Sequence, residues 1–156
     1  MYAANSSAML FGGGIPLDLG QKFFDKKPVF GKGKTFQGTL AGFFFGVITS
    51  LVIVNLWPQY TILIAKNYVL LGTLLSMGAI VGDLTASFVK RRIGIDQGKE
   101  WLLVDQLDFI AGGLIFSYWL FQPTYFEIIL ITLLTLLLHR FSNYLAFKAK
   151  LKSVPW

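Results

Sequence analysis

The chain has 156 residues, of which 54% are hydrophobic and 14% charged, and it carries a formal net charge of +6. With a mean hydropathy of +0.61 there is too little charge to cover a water-facing surface, so a soluble globule and a disordered chain are excluded and a bilayer is the fitting solvent. Cysteine is absent, which removes disulfide scaffolds, thiolate metal sites and cysteine nucleophiles, and in so apolar a chain the positive charge points to anionic headgroups or a phosphorylated substrate rather than to nucleic acid.

Residues 1–37 read as a cytoplasmic N-terminal segment. It holds a Gly-rich turn, Gly12-Gly13-Gly14 before Pro16, and a basic loop with Lys22, Lys26, Lys27, Lys32 and Lys34. It lacks a basic leader followed by an apolar core run, so no signal peptide is expected. Gly31-Lys32-Gly33-Lys34-Thr35 fails the GxxxxGK[ST] spacing of a P-loop and follows no strand; it reads as a short Gly-Lys loop entering a helix N-terminus, where anions are favoured.

Four apolar runs follow, each matched to the roughly 20 residues that cross a hydrocarbon core about 30 Å thick. The first spans Gly38–Trp57, with Gly38, Gly42 and Gly46 recurring on one face as close helix contacts require. The second starts near Tyr60, is interrupted by Lys66 and Asn67, and continues past Gly72, Ser76, Gly78 and Gly82 to Asp83. The third runs from Asp105 to Pro123 and the fourth from Tyr125 to Lys148, with Glu127 structural and His139 read as a packing or helix–helix hydrogen-bonding residue. The expected fold is therefore an all-α integral membrane bundle of four transmembrane helices over 38–147, with a cytoplasmic loop at 84–104 and a basic cytoplasmic tail at 148–156. Twelve of the fourteen basic residues fall before the first run, between the second and third, or after the fourth. The positive-inside rule then places both termini, and any chemistry, at the cytoplasmic face of a multi-pass cell-membrane protein.

Asp83 closes an uncharged run, a costly position for an acid without a partner. On a continuing helix Ser87 and Lys90 share its face, Arg91 borders it and Arg92 points away, an order that suits a nucleoside triphosphate with its metal. The competing reading is an intrahelical ion pair beside a positive-inside anchor. Asp105 and Asp108 lie one turn apart at the start of the third run; N-capping accounts for Asp105 but not for Asp108. Three acids at one membrane level with few protein cations near them call for a hard divalent cation such as Mg²⁺.

Leu10-Phe11-Gly12-Gly13-Gly14-Ile15-Pro16-Leu17-Asp18, Gly31-Lys32-Gly33-Lys34-Thr35-Phe36-Gln37-Gly38, the stretch from Gly82-Asp83 through Ser87 to Lys90-Arg91-Arg92-Ile93-Gly94, and Asp105-Gln106-Leu107-Asp108-Phe109 together resemble the archaeal CDP-archaeol synthases. The central block is also similar to the signature of the larger CDP-diacylglycerol synthases. The resemblance covers nearly the whole chain and implies transfer of a cytidylyl group from CTP to a di-geranylgeranyl glycerol phosphate, with release of pyrophosphate and a requirement for Mg²⁺. It implies catalytic roles for Asp83, Lys90, Asp105 and Asp108, substrate binding by Lys34, Thr35, Ser87, Lys90, Arg91 and Gln106, and metal binding by Asp83, Asp105 and Asp108. CTP, an isoprenoid ether-linked glycerol phosphate and membrane lipids are the implied partners, and no nucleic acid. It also implies a further membrane helix upstream, which would be ending about where Met1 stands. Two other readings are weaker. A CDP-alcohol phosphotransferase would carry DGxxAR followed by GxxxDxxxD, which is not found; a transporter or accessory subunit would spread its acids over several depths.

Overall fold

The computed structural model describes residues 1–150, apart from the side chain of Ala146, so Lys152 and the end of the basic tail lie outside the described residues. Six helices follow in order: α1 (Tyr2–Leu10), α2 (Phe36–Leu56), α3 (Pro58–Ile64), α4 (Tyr68–Arg92), α5 (Val104–Ser117) and α6 (Tyr125–Lys148). The all-α expectation holds among the described residues, where the only strand-like pairing is two isolated bridges, Pro16 to Thr35 and Lys22 to Pro28.

Three helices are long and apolar enough to cross a membrane: α2, α4 and residues 125–145 of α6. The third apolar run instead gives the 14-residue α5, about 21 Å long at 1.5 Å per residue and short of a full hydrocarbon core. The chain leaves the helix at Ser117, whose carbonyl accepts from both Leu120 N and Phe121 N at 2.9 Å. Residues on either side of this turn are equally apolar, so composition carries no mark of it. The second run is likewise two helices, broken at 65–67, where Asn67 caps α4 by accepting from Leu70 N at 3.0 Å. The N-terminal segment holds a helix too. α1 is nine residues long, too short for a span signal, and its Ala4 is fully buried.

Small residues set the helix spacing. A Cβ built on Gly38 or Gly42 would lie 2.6 or 2.8 Å from the carbonyl oxygens of Ala8 or Ala4, so the glycine face of α2 seats the backbone of α1. The contact between α4 and α5 is closer still: Cβ atoms on Gly78 and Gly82 would meet the carbonyl oxygens of Gly112 and Asp108 at 2.3 and 2.2 Å. Such backbone approach is how helices gain dispersion energy where lipid supplies no hydrophobic drive. At the centre Ala4, Ala79, Phe109 and Ile110 form the buried cluster, with Met1, Leu114 and Ile131 around it. α6 is different. Most of its Leu, Ile and Phe side chains are exposed, as on a lipid-facing helix, and among the described residues its buried side chains are the polar Thr135 and Asn143. Thr124 and Glu127 close a capping box at its start, consistent with a structural Glu127.

Candidate active site

Residues 11–35 fold over one end of the bundle. Leu17 N bonds to Lys34 O at 2.8 Å and Phe36 N to Ile15 O at 3.1 Å, pairing the chain around Pro16 with the chain around Thr35. Thr35 is the N-cap of α2; its hydroxyl accepts from Gly38 N at 3.1 Å and from Gly13 N at 3.2 Å, tying the Gly-rich turn to the helix start. Asp18, which is buried, braces the other side. Its carboxylate accepts from Gly20 N, Phe30 N and Gly31 N at 3.0, 3.1 and 2.8 Å. Burial alone would push the Asp18 carboxyl up, but the backbone donors at Gly31, Phe30 and Gly20 outweigh it and hold the group below its ordinary value. Gly31 itself takes φ +95, a conformation glycine adopts without steric cost.

This frame presents Lys34 to the bundle. Its Nζ donates to both oxygens of Asp83, at 2.5 and 2.6 Å. A second pair lies across the cavity: Lys90 Nζ donates to Asp105 Oδ2 at 2.6 Å and to Lys99 O at 2.8 Å, and Trp101 N donates to the same Asp105 oxygen at 2.8 Å. The expectation of few protein cations near the acids is thereby corrected, because two of the three acids are each bound by a lysine. The intrahelical pair of Asp83 with its own helix does not form; its partner comes from 49 residues away. Asp105 is not an N-cap either, since that position is Leu103. Asp108 stands apart from both pairs: its Oδ1 accepts from Phe109 N at 2.6 Å, its backbone carbonyl faces Gly82 of α4, and it lines neither cavity.

Two cavities, of about 380 and 440 Å³, share Lys34 and Asp83 in their walls. Gly12, Gly13, Gly14, Thr35 and Gly38 line the first, beneath the Gly-rich turn. Ser87, Lys90, Arg91, Lys99 and Asp105 line the second. Arg91 donates through Nη1 to Ile95 O at 2.7 Å, while its buried Nε has no hydrogen-bond partner among the described residues. Arg92 points away, as its helix position requires, with Nε 2.8 Å from Asp25. Gln106 departs from the expected set. It is buried, donates to Glu100 at 3.2 Å and lines neither cavity. Sequence reasoning did not single out Asn5, which lines both cavities, or Gln97, Glu100 and Asn143 in the second. His139, expected to pack, does so: its ring stacks on Phe109 with centroids 6.4 Å apart and its Nδ1 lies 3.1 Å from Asn143 Nδ2, at the edge of the second cavity. A polar side chain on a lipid-facing helix carries no pattern that marks it as cavity-lining before the packing is known.

The donor chemistry suits a hard divalent cation: Asp83 and Asp105 line one cavity, and each already holds a cationic group. Among the described residues no three Asp, Glu or His side chains ring a single point. Mg²⁺ does not need them to, because it takes one or two carboxylates and completes its shell with water and phosphate oxygens.

Comparison with known proteins gives a consistent result. The CarS-like family, described as CDP-archaeol synthase, matches residues 1–156. The CDP-archaeol synthase of Methanocaldococcus jannaschii is 41% identical over 163 residues, covering 99% of this chain and 91% of that protein. That of Pyrococcus furiosus is 38% identical over 155 residues, covering 99% and 92%. A solved structure of an intramembrane enzyme for archaeal membrane lipids biosynthesis superposes with a TM-score of 0.82 at 32% identity, over 91% of this chain and 87% of that one.

Proposed function

The chain belongs to the CDP-archaeol synthase family, and from that premise we propose that it transfers the cytidylyl group of CTP to a di-geranylgeranyl glycerol phosphate at the cytoplasmic face, giving the CDP-lipid and pyrophosphate. It is an enzyme of the membrane, a CTP-dependent nucleotidyltransferase of lipid biosynthesis. The observation that carries the detailed reading is the second cavity, where Lys34, Lys90 and Arg91 meet Asp83 and Asp105.

The lipid phosphate is already an anion at neutral pH, so its attack on the α-phosphorus needs no serine, cysteine or histidine to activate it. A lipid-phosphate oxygen bonds to the α-phosphorus while the bond to the bridging oxygen of the β-phosphate breaks, and pyrophosphate leaves with that electron pair. What the protein must supply is positioning and charge neutralisation. Arg91 and Lys90 neutralise phosphate oxygens on one wall and Lys34 on the other. The Gly-rich turn lets backbone approach the nucleotide closely. Lys34 and Lys90 are paired with Asp83 and Asp105; a triphosphate would compete for the lysines and release the carboxylates. Asp83, Asp105 and Asp108 would then hold Mg²⁺, which supplies electrostatic stabilisation of the phosphoryl oxygens. The apolar lipid tails remain in the bilayer.

In detergent, CTP with Mg²⁺ should raise the melting temperature and ATP with Mg²⁺ should not, with most of the shift lost in Arg91→Ala and retained in Arg92→Ala. Asp108→Asn should keep its fold and lose Mg²⁺-dependent CDP-lipid formation by orders of magnitude. Equal shifts with both nucleotides, or an active Asp108→Asn with unaltered Mg²⁺ dependence, would overturn the assignment.

A further inference from the structure

Residues 21–29 form a small hairpin outside the helical bundle. Val29 N bonds to Gln21 O, Phe23 N to Lys27 O and Lys26 N to Phe23 O, which leaves Phe24 and Asp25 at the centre of a tight turn. One side of this turn is fixed to the end of α4. Asp25 lies 2.8 Å from Arg92 Nε, Lys27 Nζ donates to Arg92 O at 2.9 Å, and the Arg92 guanidinium sits 5.0 and 4.5 Å from the ring centres of Phe23 and Phe88.

Phe24 stands outward from this anchored turn. Its ring packs edge-on against Phe23, with centroids 5.0 Å apart, and it is 95% exposed. Exposed Lys22 and Lys26 flank it in sequence, and the neighbouring Phe23 is 41% exposed. The level of the tip follows from its anchor. Arg92 is the last residue of the 25-residue α4 and closes its basic final turn, Lys90-Arg91-Arg92; the helix is about 37 Å long against a hydrocarbon core of about 30 Å, long enough for that turn to reach the headgroup layer. An aromatic tip between lysines at that level has the composition of an interfacial segment: rings enter the acyl boundary while ammonium groups meet lipid phosphates.

We propose that the 21–29 hairpin is a membrane-surface anchor: Phe24 inserts into the leaflet at the active-site end of the bundle, and Lys22 and Lys26 bind its anionic headgroups. The anchor would hold the loop that presents Lys34 against the bilayer, and it stands independently of the reaction assigned above.

The chain has no cysteine, so Phe24→Cys gives one unambiguous spin-label site, and the exposure of Phe24 means that the change removes little packing. Asp96→Cys, in the exposed loop after α4, supplies the aqueous reference. In proteoliposomes containing phosphatidylglycerol, the label at 24 should be reached by oxygen and shielded from a nickel chelate, whereas the label at 96 should be open to the chelate. In pure phosphatidylcholine, or with Lys22→Gln and Lys26→Gln added, the label at 24 should move toward the aqueous value. Chelate access at 24 equal to that at 96 in the anionic liposomes overturns the proposal. So does shielding from both oxygen and chelate, which means contact with protein, and so does insertion unchanged by lipid charge or by loss of the lysines.

Discussion

Asp18 makes no contact with the acids of the active site, yet three backbone N–H groups of the loop that delivers Lys34 end on its carboxylate. Removing the acceptor leaves those donors without a partner, a change worth about 1–3 kcal/mol when the groups are buried. Asp18→Ala should therefore lower the melting temperature and weaken CTP binding together. The pH dependence has a definite sign. The folded carboxyl titrates below its unfolded value, so its stabilisation is complete above the unfolded pKa of about 3.9 and is lost as pH falls through the lower folded value. Melting curves of the wild type and Asp18→Ala should differ at neutral pH and converge in acid; a constant gap would show that the carboxylate charge is not what the loop uses.

At the level of elements, the crossing of α4 and α5 is set by backbone against backbone. A methyl group on Gly78 would stand 2.3 Å from the Gly112 carbonyl oxygen, which no rotamer change relieves. Gly78→Ala should lower stability by about 1–3 kcal/mol or more, whereas Gly33→Ala, whose Cβ would meet only the Gln97 side-chain nitrogen at 3.5 Å, should melt close to wild type. Thermal unfolding in one detergent decides between them. The glycines were legible in the sequence as contact points because Gly38, Gly42 and Gly46 repeat at helical spacing. Their partners were not, since nothing in YAANSSAML marks α1 as the backbone they receive. The long apolar helices α2, α4 and α6 could be read from run length; the early end of α5 could not, because the residues beyond Ser117 are as apolar as those before it. The site divides in the same way. Asp83, Lys90, Asp105 and Lys34 stand out as charges at the ends of apolar runs, but the pairing of Lys34 with Asp83, or of Lys90 with Asp105, depends on a fold that brings distant segments together.

Across the whole molecule, the ion pairs, both cavities and the anchored hairpin lie at one end of α4, and Gln59 of α3 lies beyond the other. Single cysteines at Gln59 and Asp96 should thus react with an impermeant maleimide from opposite sides of sealed vesicles; labelling from one side would overturn the transmembrane placement of α4. The glycine contact between α4 and α5 also bears on how the enzyme responds to its solvent. Asp83 rides on one of these helices and Asp105 and Asp108 on the other, and with no side chains between them at Gly78, Gly82 and Gly112 there is little compressible material to yield. α6, by contrast, is lipid-exposed over most of its length. A thicker or thinner bilayer is then absorbed by tilting of α6, while the separation of the three acids stays fixed. Turnover should vary little with acyl-chain length of the host lipid, even where the tilt of the outer helix changes.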